Sequence, residues 1–320
     1  MFTIMLILSV IAATYIVQYH EDSTAVANVV IGSFRASFHE QMNKFEHHQL
    51  KSTGEVKRII KSKKYTKSEI QLNPPSWGLD RIDSRQGKDH QYVYPDSAGE
   101  GVTAYVFDSG INIEHDDFEG RASYGFDATG EGEVDLDGHG THVSGILGGK
   151  SFGVAKKIKL VAVKVLDKNG EGEDINILHG LQWATRDFRK NRRKAVINMS
   201  LGGEFSQVFN DAVAATVKLG IPVVVAAGND NIDACTESPG SEDLAITVGS
   251  TDKYDRKSKF SSYGHCVELS APGQDIKSTY KGSSRATHTL SGTSMAAPHV
   301  VFFINLVWSC SNILKGRCPR

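Results

Sequence analysis

Gly101-Val-Thr-Ala-Tyr-Val-Phe-Asp-Ser-Gly110 is the stretch on which the fold turns. Val102 to Phe107 run without a charge through apolar, aromatic and β-branched side chains, and Asp108-Ser-Gly110 follows at once. Such a run, closed by a turn residue, reads as a short buried strand. The pattern returns at Lys159–Leu166, Ala195–Asn198, Ile221–Ala226 and Ala245–Gly249. Between these runs, residues 173–191 and 206–219 have the length and period of amphipathic helices. Strands that alternate with helices predict βαβ units, hence an α/β fold with a central, mainly parallel sheet covered by helices on both faces. In such sheets the site forms outside the carboxyl ends of the strands. Gly110, Gly202-Gly203 and Gly228 sit at those ends, where loops must turn tightly.

Composition agrees with a folded domain. Hydrophobic residues make up 40% of the chain and charged residues 23%, and the formal net charge is -1. That balance predicts neither nucleic-acid nor membrane-surface binding. The charge is uneven: residues 1–75 carry 9 Lys/Arg against 6 Asp/Glu, and the remainder 27 against 31. The main body is therefore slightly acidic. No internal repeat or low-complexity tract interrupts it.

The residue types found at the strand ends carry chemistry. Asp108 ends the first strand of the body. His139 lies in Asp137-Gly-His-Gly-Thr-His-Val-Ser-Gly145, at a predicted helix start. Asn229 follows Val223-Val-Val-Ala-Ala-Gly228. Ser294 lies in Leu290-Ser-Gly-Thr-Ser-Met-Ala-Ala-Pro-His299, at another predicted helix start. A serine hydroxyl becomes a nucleophile when a neutral histidine takes its proton. An aspartate on the other ring nitrogen fixes the tautomer and stabilises the imidazolium. A helix start brings free N–H groups to developing negative charge, and the Asn229 amide supplies a second donor. The order Asp, His, Ser along the chain, with no G-x-S-x-G elbow, separates this arrangement from the α/β-hydrolase and chymotrypsin-like orders.

These motifs together resemble the subtilisin-like serine proteases, within the proteinase K and cerevisin-like branch. Asp108-Ser-Gly110, the His139 and Ser294 segments and Ala226-Ala-Gly-Asn229 carry the likeness, which runs from about Trp77 to about Val300. The resemblance implies a subtilisin-like three-layer fold and peptide-bond hydrolysis through an acyl-enzyme, with Ser294, His139 and Asp108 as catalytic residues and Asn229 at the oxyanion. It implies that Ser200, Leu201 and Gly202 on one edge and Gly170, Glu171 and Gly172 on the other, with Ala227 and Gly228, pair with an extended protein or peptide substrate. It also implies a disulfide between Cys235 and Cys266, and no cofactor for the chemistry. A structural calcium site would use main-chain carbonyls at Asp243 and Ala245 and the carboxylate of Glu268, where relatives carry Asp.

The N-terminal residues read as processing segments. Phe2–Ala13 has the length of a signal-peptide core, which assigns 1–13 to a leader, with no membrane span once it is removed. Residues 14–72 resemble an inhibitor-like α+β propeptide, a partner that serves its own enzyme as intramolecular chaperone and inhibitor. It has a strand over 14–23, a helix over 35–49, and a boundary near 65–76 at which autocleavage would release the mature enzyme. Residues 73–320 are then the peptidase domain. A leader and four cysteines, all beyond residue 230, predict a secreted or cell-surface protein, or one of a vacuole-like lumen. By spacing alone the cysteines allow three pairings.

Two departures from the family pattern set up the alternatives. After His299 relatives read Val-Ala-Gly and continue with small residues, whereas this chain reads Val300-Val-Phe-Phe-Ile304, and it ends early at Arg320. A divergent, short C-terminus would leave a non-catalytic surface or binding protein. Separately, His139 and His142, three residues apart, suggest a metal-dependent hydrolase. Asn198-Met-Ser200 is a formal glycosylation sequon whose predicted position on a core strand argues for an unmodified Asn. Asp116-Asp117 and the acids from Glu131 to Asp137 read as solvated loops.

Overall fold

A computed structural model describes residues 68–301 with their side chains, and the backbone alone of 5–10, 13–19, 56–61 and 302–308. The chain divides into two compact units between Thr66 and Lys67. In the first, β1 (Met5–Val10), β2 (Ala13–Tyr19) and β3 (Val56–Lys61) form an antiparallel sheet in that order, with Ile7 opposite Ile16 and Ile16 opposite Ile60. The strand expected over 14–23 is β2, and β1 occupies the stretch whose apolar run reads as a leader. The helix expected over 35–49, Cys310 and Cys318 lie outside the described residues.

The second unit opens with β4 (Ser68–Leu72), antiparallel to β5 (Gln91–Pro95), with the short helix α1 (Trp77–Ile82) between them. Its centre is a seven-stranded sheet in which every neighbouring pair is parallel. The strands are β6 (Val102–Asp108), β7 (Ala122–Asp127), β8 (Lys159–Lys164), β9 (Lys194–Met199), β11 (Val223–Ala226), β13 (Ile246–Thr251) and β14 (Leu269–Pro272). Two short ribbons, β10 (Gly203–Glu204) with β12 (Glu237–Ser238) and β15 (Ile276–Thr279) with β16 (Thr287–Leu290), stand apart from it. Spatially the order is β14-β13-β11-β9-β6-β8-β7. The chain leaves β6 for the edge strand β7, returns through β8, and then crosses to build outward from β9. The order therefore reverses at β6 and β9, and a crevice opens at the carboxyl ends of those two strands.

Alternating side chains along the strands make the two helical layers. On one face Ala104, Val106 and Val224 pack with Val143, Ile146 and Leu147 of α2 (His139–Gly148) and with Met295, Ala296 and Val300 of α5 (Thr293–Trp308). On the other, Tyr105, Phe107, Ile197 and Val225 pack with Ile177 and Leu181 of α3 (Asp174–Asn191) and with Phe209 and Val213 of α4 (Gln207–Lys218). A strand in the middle of such a sandwich is apolar at every position because successive side chains point to opposite, equally buried faces. All seven residues of β6 are buried. The run expected from Ile221 starts as strand only at Val223, because Pro222 has no N–H to give to the ladder and contributes only its carbonyl, to Ile197 N–H at 2.9 Å. Val301, where a smaller residue was expected, is buried without loss of the helix.

Candidate active site

Asp108 is the last residue of β6 and its side chain is fully buried. Its Oδ1 and Oδ2 lie 2.8 and 3.0 Å from Nδ1 of His139, the first residue of α2. A carboxylate only accepts, so the hydrogen sits on Nδ1 and the neutral ring presents Nε2 as its basic nitrogen. Burial by itself lowers the His139 pKa. The charge and hydrogen bond of Asp108, with the charges of Asp137 and Asp135, override that, and the pKa lies above the ordinary histidine value.

A polar bracket holds the pair. Buried Asp135 accepts hydrogen bonds from the Ser109 hydroxyl at 2.9 Å, the Gly138 N–H at 2.7 Å, and the N–H and hydroxyl of Thr141 at 2.9 and 2.5 Å. The Ser109 hydroxyl in turn accepts the Gly140 N–H at 3.0 Å. The turn after β6 and the start of α2 are thus tied through one carboxylate. Gly140 allows the close approach, since a Cβ there would collide with the Gly110 carbonyl oxygen and press on Asp108. The expected solvated loop at Glu131–Asp137 is therefore corrected at Asp135, as it is at buried Asp117, which accepts the Ser151 N–H at 2.9 Å. Asp135 stands four residues before α2 begins and ahead of its N-cap, Gly138, so no capping signal in the sequence marked it.

Ser294 is the second residue of α5. Its hydroxyl donates to the Ser200 carbonyl at 3.1 Å, and the Ser200 hydroxyl donates to the Ser294 carbonyl at 2.7 Å. The end of β9 and the start of α5 are locked together. The Ser294 N–H is one of the four that a helix start leaves without an intrahelical partner. Asn229 follows β11, and its Oδ1 accepts the N–H of Thr293 at 2.8 Å and the Thr293 hydroxyl at 3.0 Å. A backbone N–H can only donate, so the amide is oriented with oxygen toward Thr293, leaving Nδ2 as donor.

His139, Ser294 and Asn229 line one cleft of about 980 Å³. Ser200, Leu201 and Gly202 line it too, with Gly170, Glu171 and Gly172. Ala227 and Gly228 join them, so every residue expected at the substrate edges faces the same space. Leu201 also packs, half-buried, against the core layer that holds Ile177 and Phe209. His142 does not face the cleft. It is buried, its Nε2 lies 3.1 Å from the carbonyls of both Ile276 and His288, and burial drives its pKa down to about 3. Nε2 therefore carries a hydrogen held by two carbonyls and is not free to ligate a metal beside His139.

Asn198 is fully buried and donates to the Ser200 hydroxyl at 3.0 Å, which is incompatible with a glycan in the folded protein. Cys235 and Cys266 are joined as a disulfide. With His265 they make the one cluster of three metal-binding side chains among the described residues, and their sulfurs are already bonded to each other. Glu268 lies at the sheet edge with its Oε2 accepting the Thr247 N–H. Desolvation raises its pKa, the Thr247 N–H opposes the rise, and the Asp243 charge adds to it. Among the described residues no lysine or arginine forms an ion pair with it, and such a carboxylate fits calcium by charge. One carboxylate and two carbonyls make part of the six to eight oxygens that the ion takes.

Among the described residues, no helix is long and apolar enough to cross a membrane. Residues 99–317 match the model of the Subtilase family. "Subtilisin-like protease 7" of Arthroderma benhamiae is 52% identical over 233 residues, covering 72% of this chain and 58% of that protein. The protein of the same name from Arthroderma otae is 48% identical over 265 residues, covering 81% and 66%. This chain thus spans about three fifths of the length of the curated relatives it matches. Among solved structures, the "Crystal structure of a cold adapted subtilisin-like serine proteinase" superposes with a TM-score of 0.69 at 41% identity, covering 74% of this chain and 85% of that one. With the family model covering more than half of the chain and the matching fold already in place, this chain belongs to the subtilase family.

Proposed function

We propose that the protein is a secreted serine endopeptidase made as a zymogen. The observation that carries this reading is the Asp108–His139 hydrogen bond standing in one cleft with Ser294 and the Asn229 amide. Ser294 Oγ turns from the Ser200 carbonyl toward His139 Nε2, gives up its proton and attacks the peptide carbonyl. The Ser294 N–H and Asn229 Nδ2 receive the negative charge that develops on the oxygen. His139 then protonates the leaving amine. An acyl-enzyme remains until water, activated by the same histidine, releases it. Ser200–Gly202 and Gly170–Gly172 hold the substrate as an added strand.

Labelling with a fluorophosphonate probe tests the reading. A labelled, shortened wild-type band that is absent in Ser294→Ala is expected. A folded, full-length wild type that stays unlabelled would favour a non-catalytic binding protein. Asn229→Ala should lower kcat by about 10² to 10³, the loss typical of one oxyanion donor in a subtilisin-type site, with KM little changed. Steady-state kinetics on one peptide substrate check this.

Residues 14–72 are read as an inhibitory propeptide that chaperones its own enzyme, removed by self-cleavage. Because β4 pairs with β5 inside the second unit, a cut near Thr66–Lys67 preserves that ribbon, whereas a cut after Leu72 would lose it. The N-terminal residue of the mature protein, read by mass spectrometry, decides between them. The leader-like 1–13 and the Cys235–Cys266 disulfide support export into an oxidising compartment, to the medium, the cell surface or a vacuole-like lumen. Fractionation that found the protein only in the cytosol would end that reading. Glu268, with the carbonyls of Asp243 and Ala245, would hold a structural calcium. Calcium at a hundredfold excess over its Kd is then expected to add about 2.7 kcal/mol of stability to wild type and none to Glu268→Gln, as read by thermal unfolding.

A further inference from the structure

The cleft beside Ser294 is lined by six carboxylates, from Asp137, Glu171, Asp174, Glu204, Asp230 and Glu237, and no lysine or arginine is among its lining residues. Several have local work: Asp137 accepts the His139 N–H, and Asp174 accepts the Ser206 hydroxyl. Glu237 is placed differently. It belongs to β12, which the ribbon with β10 folds back toward the end of β11. Its carboxylate packs on the bare Cα of Gly228, where φ is +101° and any Cβ would collide with Glu237 Oε2. Gly228 immediately precedes Asn229, so this carboxylate stands one residue from the oxyanion amide.

The side-chain partner of Glu237 is the Ser262 hydroxyl at 3.4 Å, and among the described residues no lysine or arginine forms an ion pair with it. Partial burial raises its pKa, and the negative charge of Asp230, on the other side of Asn229, raises it further. A partly desolvated carboxylate facing another, with no cation between, is stabilised by any cationic group that enters. Ser294, His139 and Asn229 supply the independent reason for a peptide to lie here, because the acyl carbonyl must sit between the hydroxyl and the amide.

We propose that Glu237 makes this cleft selective for peptides that present a lysine or arginine side chain next to the scissile bond, with the other cleft carboxylates favouring cationic substrates as a whole. This rests on the peptidase reading above. The guanidinium or ammonium would approach Glu237 past Gly228 while the acyl carbonyl meets Asn229. A glutamate side chain at the same place would meet like charge on both sides.

The test uses the mature full-length protein and peptide coumarin amides that differ only in the residue before the cleaved bond, Arg, norleucine or Glu. Fluorophosphonate labelling of Ser294 is run in parallel. At low salt, kcat/KM for Arg should exceed that for norleucine by about tenfold or more, with Glu the slowest. The Arg preference should shrink toward parity near 1 M salt, where the screening length falls to about 3 Å. Glu237→Gln, which keeps the shape and removes the charge, should lower the Arg-to-norleucine ratio about tenfold. A labelled enzyme with no Arg preference, or with a preference that Glu237→Gln leaves intact, overturns the proposal and spares the peptidase reading. If Glu237→Gln does not fold, the salt dependence of the wild-type preference decides: a preference that salt does not weaken overturns the proposal. An enzyme that neither labels nor cleaves removes both.

Discussion

Asp108→Asn should lower kcat by about 10⁴-fold at neutral pH while leaving the protein folded. The carboxylate has no exposure and accepts from His139 Nδ1 and from the Ser109 N–H at 2.8 Å. An asparagine fits the same volume and keeps one acceptor oxygen. With that oxygen held by the Ser109 N–H, the new NH₂ faces Nδ1. The imidazole then answers with its other tautomer, carrying the hydrogen on Nε2, where it cannot take a proton from Ser294. The pH profile should change as well. In the proposed mechanism catalysis needs neutral His139, and Asp108 is the largest influence holding its pKa above the ordinary value. Activity of the wild type therefore falls as pH drops through that raised pKa. With the charge gone the burial of the ring prevails, and the acid limb of the residual activity should move to lower pH. A kcat loss with an unmoved acid limb would mean that Asp108 does not set the state of His139.

Lys164→Met should destabilise the fold by about 3–5 kcal/mol, the range for breaking a buried charge pair by removing one partner. Lys164 is fully buried. Its ammonium donates to the carbonyls of Ser109 at 2.8 Å and Leu166 at 3.0 Å, and lies 3.1 Å from Glu131 Oε2. Two carbonyls thus accept from the ammonium, and the carboxylate faces it as an ion pair. A methionine fills the space and leaves two carbonyls and a carboxylate without their cation. Urea unfolding in the Ser294→Ala background, which removes self-digestion, measures the loss. Adding Glu131→Gln should recover part of it, because the carboxylate left uncompensated is then neutral. A loss below about 1 kcal/mol would mean that water replaces the ammonium at little cost. Since Ser109 adjoins Asp108, the same substitution in the active protein should also slow turnover.

Much of this is legible in the sequence. The strands around Val102–Phe107 and Val223–Ala226 read correctly because a parallel sheet under two helical layers leaves no polar face, so local composition reports the tertiary setting directly. Asp108, His139, Ser294 and Asn229 stood out because the chemistry needs those residue types immediately after strands or at helix starts, and such ends are local events in the chain. The residues that the family resemblance assigns to the substrate edges line the same cleft for a related reason, since they lie in the loops that leave β8 and β9.

Asp135, Lys164 and Glu237 were not legible. Each is an ordinary charged residue in sequence, and an acid in a loop or on a short ribbon is most often solvated. Their importance lies in partners brought close by folding: Ser109 and Thr141 for Asp135, Glu131 for Lys164, Gly228 for Glu237. Burial decides whether a charge is screened by water or must find its compensation in the protein, and burial is a property of the packed chain. The sequence by itself determined the sheet, the family and the polar residues that share the cleft, because hydrophobic period and residue type act over a few neighbours. Only the tertiary structure decided which charges are buried, how the His139 ring is held and what charge a substrate meets, because those depend on distances between segments far apart along the chain.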